Sequence, residues 1–375
     1  MIDFDFSKYC YSCSVCANVC GKNAIEFDEN LHPIVNQKLC VNCGKCEKVC
    51  IKLNESKYEP YLNKNSIGWA CKNRNENQRK ESSSGGIFIL LAEEILNSNG
   101  YICGCVYDDE FMPKHVVTND RKIVEKMMGS KYVMSDMNNC IKEMKKILEK
   151  GNTVLFSGVP CQVAAVYSSL GSYSNLYTVS VVCHGSIERK YWQSYLKKEK
   201  ERGEIIAISM RDKSRDWLDY GLKVRFSDGS EHITYRKKNG FFLKCFTDGV
   251  MDRDRCLSCM YKGTNIFADI LLGDGWGVEN IYPDMVDKYG ISSVVCLSNK
   301  GKSLFEKLLD FVECRKMSID DIVTRNKRII SIASENKCRK AFKRKYEENP
   351  EAINIICEKF AKDTLFKKIK RHLHI

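Results

Sequence analysis

Four cysteines fall within eleven residues near the start of this chain, in CYSCSVCANVC (residues 10–20), and four more repeat the spacing in CVNCGKCEKVC (residues 40–50). Thiols this dense serve disulfides, zinc or iron–sulfur chemistry, and the rest of the sequence separates the three. The opening MIDFDFSKYC lacks the apolar core of a secretory signal, and the longest apolar run, GGIFILLA, is too short to cross a bilayer. A cytoplasmic protein without a transmembrane segment is expected, and there thiols stay reduced. The 21 cysteines therefore point to metal ligation rather than to a disulfide framework. Zinc sites take cysteines in pairs separated by longer loops, not four at a time.

Both runs read C-x2-C-x2-C-x3-C, the spacing of bacterial two-cluster ferredoxins, where the fourth cysteine of each run ligates the other cluster. One [4Fe–4S] cluster would take Cys10, Cys13, Cys16 and Cys50, and a second Cys40, Cys43, Cys46 and Cys20. Gly21 and Ile51 stand where a proline usually follows the fourth cysteine. Between the runs, AIEFDENLHPIVNQKLC predicts a strand, a turn and a second strand. Residues 1–55 thus read as a ferredoxin-like α+β electron-transfer module, followed by a polar connector over 56–80.

Beyond it, strands alternate with helices, as an α/β domain requires. SSSGGIFILLAEEILNSNG predicts a capped helix stopped at Gly100; YICGCVY predicts a strand and NNCIKEMKKILEKG a helix. NTVLFSG, CQVAAVYSSLG and LYTVSVVCHG then form a βαβ unit, whose strands should run parallel. That topology puts Cys161 and Cys183 on one carboxyl edge, where such sheets carry their sites. CLSC (Cys256 and Cys259) precedes the strand DILLGDGWG. The four thiols fit a third four-iron cluster; a zinc site, unconnected core cysteines, or a Cys161 nucleophile activated by His184 remain open. The Ser-Gly-Gly helix start suits a phosphate-binding backbone or simple capping by Ser84 equally well.

The stretches KESSSGGIF, GSKYVMSD, VLFSGVPCQVAAV, VSVVCHG, MRDKSRDW, CLSCMYKG, ADILLGDGWG and GISSVVCLSNKGK, in this order, resemble the beta-subunit family of coenzyme F420 hydrogenases and dehydrogenases. The resemblance runs from about residue 68 to 315. It implies a larger α/β flavin/iron–sulfur domain over 81–315. FAD would be bound non-covalently near Ser83, Ser84, Gly85, Gly86, Lys131 and Gly158, with a further [4Fe–4S] cluster on Cys161, Cys183, Cys256 and Cys259. It also implies an oxidoreductase exchanging electrons between its clusters and a small-molecule substrate or deazaflavin-like cofactor, working with a redox partner protein or subunit. Polysaccharide biosynthesis is one setting it suggests. The rival reading is an electron carrier or partner subunit with neither flavin nor substrate of its own. No catalytic residue is assigned.

The net charge of +12 is concentrated partly in KCRKAFKRKYEE and FKKIKRHLHI, within the basic helices expected over 316–375. A solvated helix face or a docking patch for an acidic partner or a membrane surface would account for them, and no nucleic-acid-binding signature accompanies them. The last helix is expected to begin at Asn349-Pro350-Glu351. Arg211, Lys213 and Arg215 in RDKSRDW could meet an anionic ligand or form a solvated turn. Cys71, Cys103, Cys105, Cys140, Cys245, Cys296, Cys314, Cys338 and Cys357 read as structural, and His115 and His372 as ordinary.

Overall fold

The computed structural model describes residues 2–55, 66–262, 267–332 and 335–372. Its strands, in chain order, are β1 (Ile25–Phe27), β2 (Pro33–Val35), β3 (Ile67–Asn73), β4 (Tyr101–Tyr107), β5 (Pro113–Thr118), β6 (Val154–Gly158), β7 (Leu176–Val181), β8 (Ile205–Asp212), β9 (Gly221–Phe226), β10 (Glu231–Tyr235), β11 (Ile270–Asp274), β12 (Ser292–Cys296) and β13 (Val312–Met317). Eight of them make one mixed sheet in the order β13-β3-β12-β11-β7-β6-β4-β5. Its centre, β11-β7-β6-β4, is parallel, and the flanking strands are antiparallel.

The parallel centre follows from the sequence. Val154, Leu155 and Phe156 form a continuous apolar run that is fully buried, as a strand covered on both faces requires. Side chains alternate across it: Val154 and Phe156 join one core, with the helices Cys140–Glu149 and Pro160–Leu170, while Leu155 joins the other, with the helix Ile87–Asn97. The helix Pro160–Leu170 connects β6 to β7, which pair in parallel as the βαβ reading requires.

Residues 67–73, read as connector, instead form β3, between β13 and β12. The reason is non-local: β3 acquires its partners from residues over 200 positions downstream, which its own short sequence does not announce. Residues 56–65 lie outside the described residues. The long excursion between β7 and β11 carries a separate antiparallel sheet, β10-β9-β8, and the helices Arg189–Lys200 and Phe241–Thr247. The basic helices Arg339–Glu348 and Ile353–His372 return to this excursion. Phe342, Tyr346, Ile353 and Phe360 share its core with Tyr191, Trp192 and Phe246. Asn349 precedes a short 3-10 turn, Pro350–Ala352, that leads into the last helix. No helix among the described residues is long and apolar enough to cross a membrane.

In the N-terminal module, β1 and β2 pair antiparallel between the two cysteine runs. The repeat is written into the backbone too. Ser12 and Asn42, each two residues after the first cysteine of its run, both have positive φ, as do Ser14 and Gly44 two residues further on. These left-handed residues bend each loop in the same way, a conformation that costs a non-glycine residue about 1–2 kcal/mol.

Candidate functional site

The first thiol set is interlocked across the two runs. Cys10, Cys13 and Cys16 are each pushed up by burial, and each is pushed further by the charge of Cys50, thirty or more residues away in sequence. Cys50 in turn feels Cys46. The second set stands nearer solvent: Cys43 is exposed, and Cys20, Cys40 and Cys46 are half-buried. The helices Val15–Asn18 and Lys45–Val49 pack together and bring the two loops alongside.

Cys161 lies in the first turn of the helix Pro160–Leu170, Cys183 just beyond β7, and Cys256 and Cys259 on the loop approaching β11. Burial pushes the Cys161 thiol well up, followed by the charges of Cys259, Cys183 and Cys256, and then of Cys13. Cys183 and Cys259 are pushed up to about 11, and Cys256 to about 12, in each case first by burial. The fold therefore unites all four, with a first-set thiol near by. Among the described residues, no three His, Cys, Asp or Glu side chains close around a single metal ion. A Cys161–His184 dyad is not supported. Burial pulls His184 down to about 3, its ring lies against Phe246 at 5.1 Å, and Cys161 is surrounded by thiols.

Beside the third set opens a cavity of about 380 Å³, lined by Ser83, Ser84, Gly86, Lys131 and Gly158 together with Cys183. Gly85 does not line it. A Cβ there would sit 2.3 Å from the Cys71 carbonyl oxygen, and its N–H donates to Ser292 Oγ at 2.9 Å. Ser84 is not the helix cap: its hydroxyl donates to the Ile291 carbonyl at 2.5 Å, and Gly86, at φ +76°, occupies the N-cap position. The bonds from the Ser-Gly-Gly loop to Ile291 and Ser292, at the start of β12, outweigh local capping here. Lys131 is half-buried, its ammonium donating to the Met128 carbonyl at 3.1 Å and lying 5.5 Å from the Tyr107 ring.

Other lining residues had no sequence signal. His115 is buried, with burial pulling it down to about 4. Its Nε2–H donates to the Ser157 carbonyl at 3.1 Å, so Nδ1 accepts from Ser135 Oγ at 3.1 Å, and Gln162 Nε2 donates to that hydroxyl at 2.8 Å. The RDKSRDW residues divide three ways. Arg211 lines the cavity, pairs with Asp274 at 3.0 Å and stacks on Tyr220 and Trp276. Lys213 ties Arg79, Ser84 and Tyr289 together through their carbonyls, and Arg215 is exposed beside Asp219.

Residues 151–321 match the family model for the C-terminal part of the coenzyme F420 hydrogenase/dehydrogenase beta subunit. This segment, a little under half of the chain, is similar to that family. The matched segment holds the third thiol set, whereas the two cysteine runs and the Ser-Gly-Gly loop precede it. A coenzyme F420-dependent sulfite reductase of Methanocaldococcus jannaschii is 26% identical over 159 residues, 42% of this chain and 24% of that protein. The chain thus covers about a quarter of that relative. A chain of the F420-reducing [NiFe] hydrogenase complex from Methanosarcina barkeri shares the fold, with a TM-score of 0.51 and 18% identity over 78% of this chain and 96% of that one. The structural likeness extends to the mixed α/β fold.

Proposed function

We propose that the protein is a flavin- and iron–sulfur-dependent oxidoreductase. A substrate or deazaflavin-like cofactor reacts at the cavity, and electrons pass between it and three [4Fe–4S] centres. The observation that carries this reading is the double position of Cys183, which lines the cavity and belongs to the third thiol set. Cys13 near Cys161 then continues the path into the first set, and Cys50 beside Cys46 continues it into the second.

The residues fit the groups. Buried thiols that raise one another's pKa hold their protons, and as thiolates they call for a cationic core, which iron would supply in exchange for those protons. Four thiols to a set suit such a core, and no three of them close around a single ion among the described residues. The cavity is within the range of small-molecule and cofactor sites, roughly 300–1,000 Å³. Ser83, Ser84, Gly86, Lys131 and Gly158 would hold FAD, with Lys131 as a positive charge for its anionic groups. FAD would supply the exchange between two-electron and one-electron chemistry. The protein's own part is positioning. His115, neutral and fully bonded, fixes the end of β6 through Ser157, and the buried wall keeps water from the reacting atoms.

Purification without oxygen, followed by iron, sulfide and flavin analysis, tests the reading. About twelve iron and one flavin per chain are expected. About eight iron and no flavin would leave only the two cysteine runs loaded and favour a carrier without its own substrate.

A further inference from the structure

We infer that the surface around Cys43 is the docking site for a small acidic protein that carries one electron at a time. This rests on the electron-transfer reading above and names the partner of its outer end.

Of the three thiol sets, the first is largely buried and the third faces the cavity, while Cys43 of the second is exposed. The chain around it leaves large apolar side chains in solvent: Ile34 (55% exposed), Leu39 (49%) and Val41 (60%). Scattered exposed apolar residues are ordinary, but three within eight positions beside an exposed thiol are not scattered. Lys22, Lys38, Lys45 and Lys48 surround the same segment and are all exposed or half-exposed. Among the described residues, none of these four forms an ion pair, unlike Lys52, which pairs with Glu55, or Lys197, which pairs with Glu351. The neighbouring acids are Glu26, directly across the hairpin from Ile34, and Glu47. The face is net positive around an apolar centre.

An apolar centre that sheds water and a charged rim that steers the approach make a fast, short-lived interface. Uncompensated lysines select a negatively charged partner and disfavour a second copy of this net-positive chain. Each encounter moves one electron: the carrier loses it and the centre held by Cys20, Cys40, Cys43 and Cys46 gains it, or the reverse. Two encounters match one two-electron exchange at the cavity.

The test uses the iron-loaded protein purified without oxygen, titrated calorimetrically with a small acidic ferredoxin. The triple variant K38E/K45E/K48E should weaken binding by about tenfold or more, and added salt should weaken wild-type binding in the same direction. Lys302→Glu, on the helix Asn299–Glu306, whose Leu304 and Phe305 pack in the core on the other face of the sheet from Tyr11, Cys13 and Ile51, should leave binding unchanged. Iron per chain and bleaching by dithionite should be the same in all three proteins. If the triple variant loses iron, Lys38→Gln with Lys45→Gln replaces it. Absence of ferredoxin binding, equal binding by the variant, or equal binding of a basic cytochrome c would overturn the inference. So would loss of self-association or of anionic-vesicle binding as the variant's only defect. Flavin content and dye-mediated turnover, measured alongside, report on the functional reading independently of docking.

Discussion

His115 is a neutral imidazole enclosed by Ser157, Ser135 and Phe156. Its pKa lies near 4 in the folded chain, below the ordinary 6.5. As pH falls below about 6.5, the unfolded chain takes up a proton that the folded chain refuses, so stability declines towards pH 4 by up to ~3 kcal/mol. Between pH 6.5 and 5.5 we expect a loss of about 1 kcal/mol in denaturant unfolding, absent from His115→Gln. An unchanged pH slope in the variant would show that other groups set it. Cys161→Ala should lose about four iron per chain and uncouple flavin turnover from the remaining centres; full iron with normal turnover would remove Cys161 from the ligands. The two residues also show what a sequence discloses. Cys161 stood out because a parallel βαβ unit fixes where its strand ends lead. His115 did not, because its partners come from β6 and from residues 135 and 162, a coincidence of register that no local pattern encodes.

At the scale of elements, the C-terminal helices depend on aromatic contacts more than on their charges. Phe342 is fully buried, edge-on to Tyr191 at 5.3 Å and to Phe360 at 5.6 Å. Phe342→Ala should cost about 3–5 kcal/mol, read by denaturant unfolding, and should expose residues 339–372 to protease while iron content is kept. Proteolysis no faster than wild type would mean that the helices are held elsewhere. Their sequence displayed the basic face but not its destination, since a helix's apolar stripe does not say which core receives it. Nothing local to the excursion between β7 and β11 shows that β8, β9 and β10 form a sheet of their own or that the helices Arg189–Lys200 and Phe241–Thr247 flank it. The hairpin of the N-terminal module was legible throughout, because its paired residues are six to ten positions apart.

For the whole molecule, the junction between the N-terminal module and the α/β domain is polar and specific. Arg253 donates to the Cys10 and Tyr11 carbonyls at 3.1 and 3.2 Å. Arg255 pairs with Glu55 and lies 4.2 Å from the Tyr11 ring centre, and Tyr261 donates to the Ile51 carbonyl at 2.8 Å. Arg255→Ala leaves the Glu55 carboxylate to Lys52 and the Tyr11 hydroxyl and should cost about 2 kcal/mol. It should slow electron passage between module and cavity in stopped-flow reduction while leaving total iron unchanged; an unaltered rate would mean that apolar packing alone sets the distance. Both arginines adjoin Cys256 and Cys259, so a segment of seven residues, 253–259, carries two thiols of the third set and grips the loop of the first. Were both sets filled as proposed, assembly of either centre would stiffen the support of its neighbour. A half-assembled chain would then be mechanically looser than a complete one, a fitness check made before any current flows.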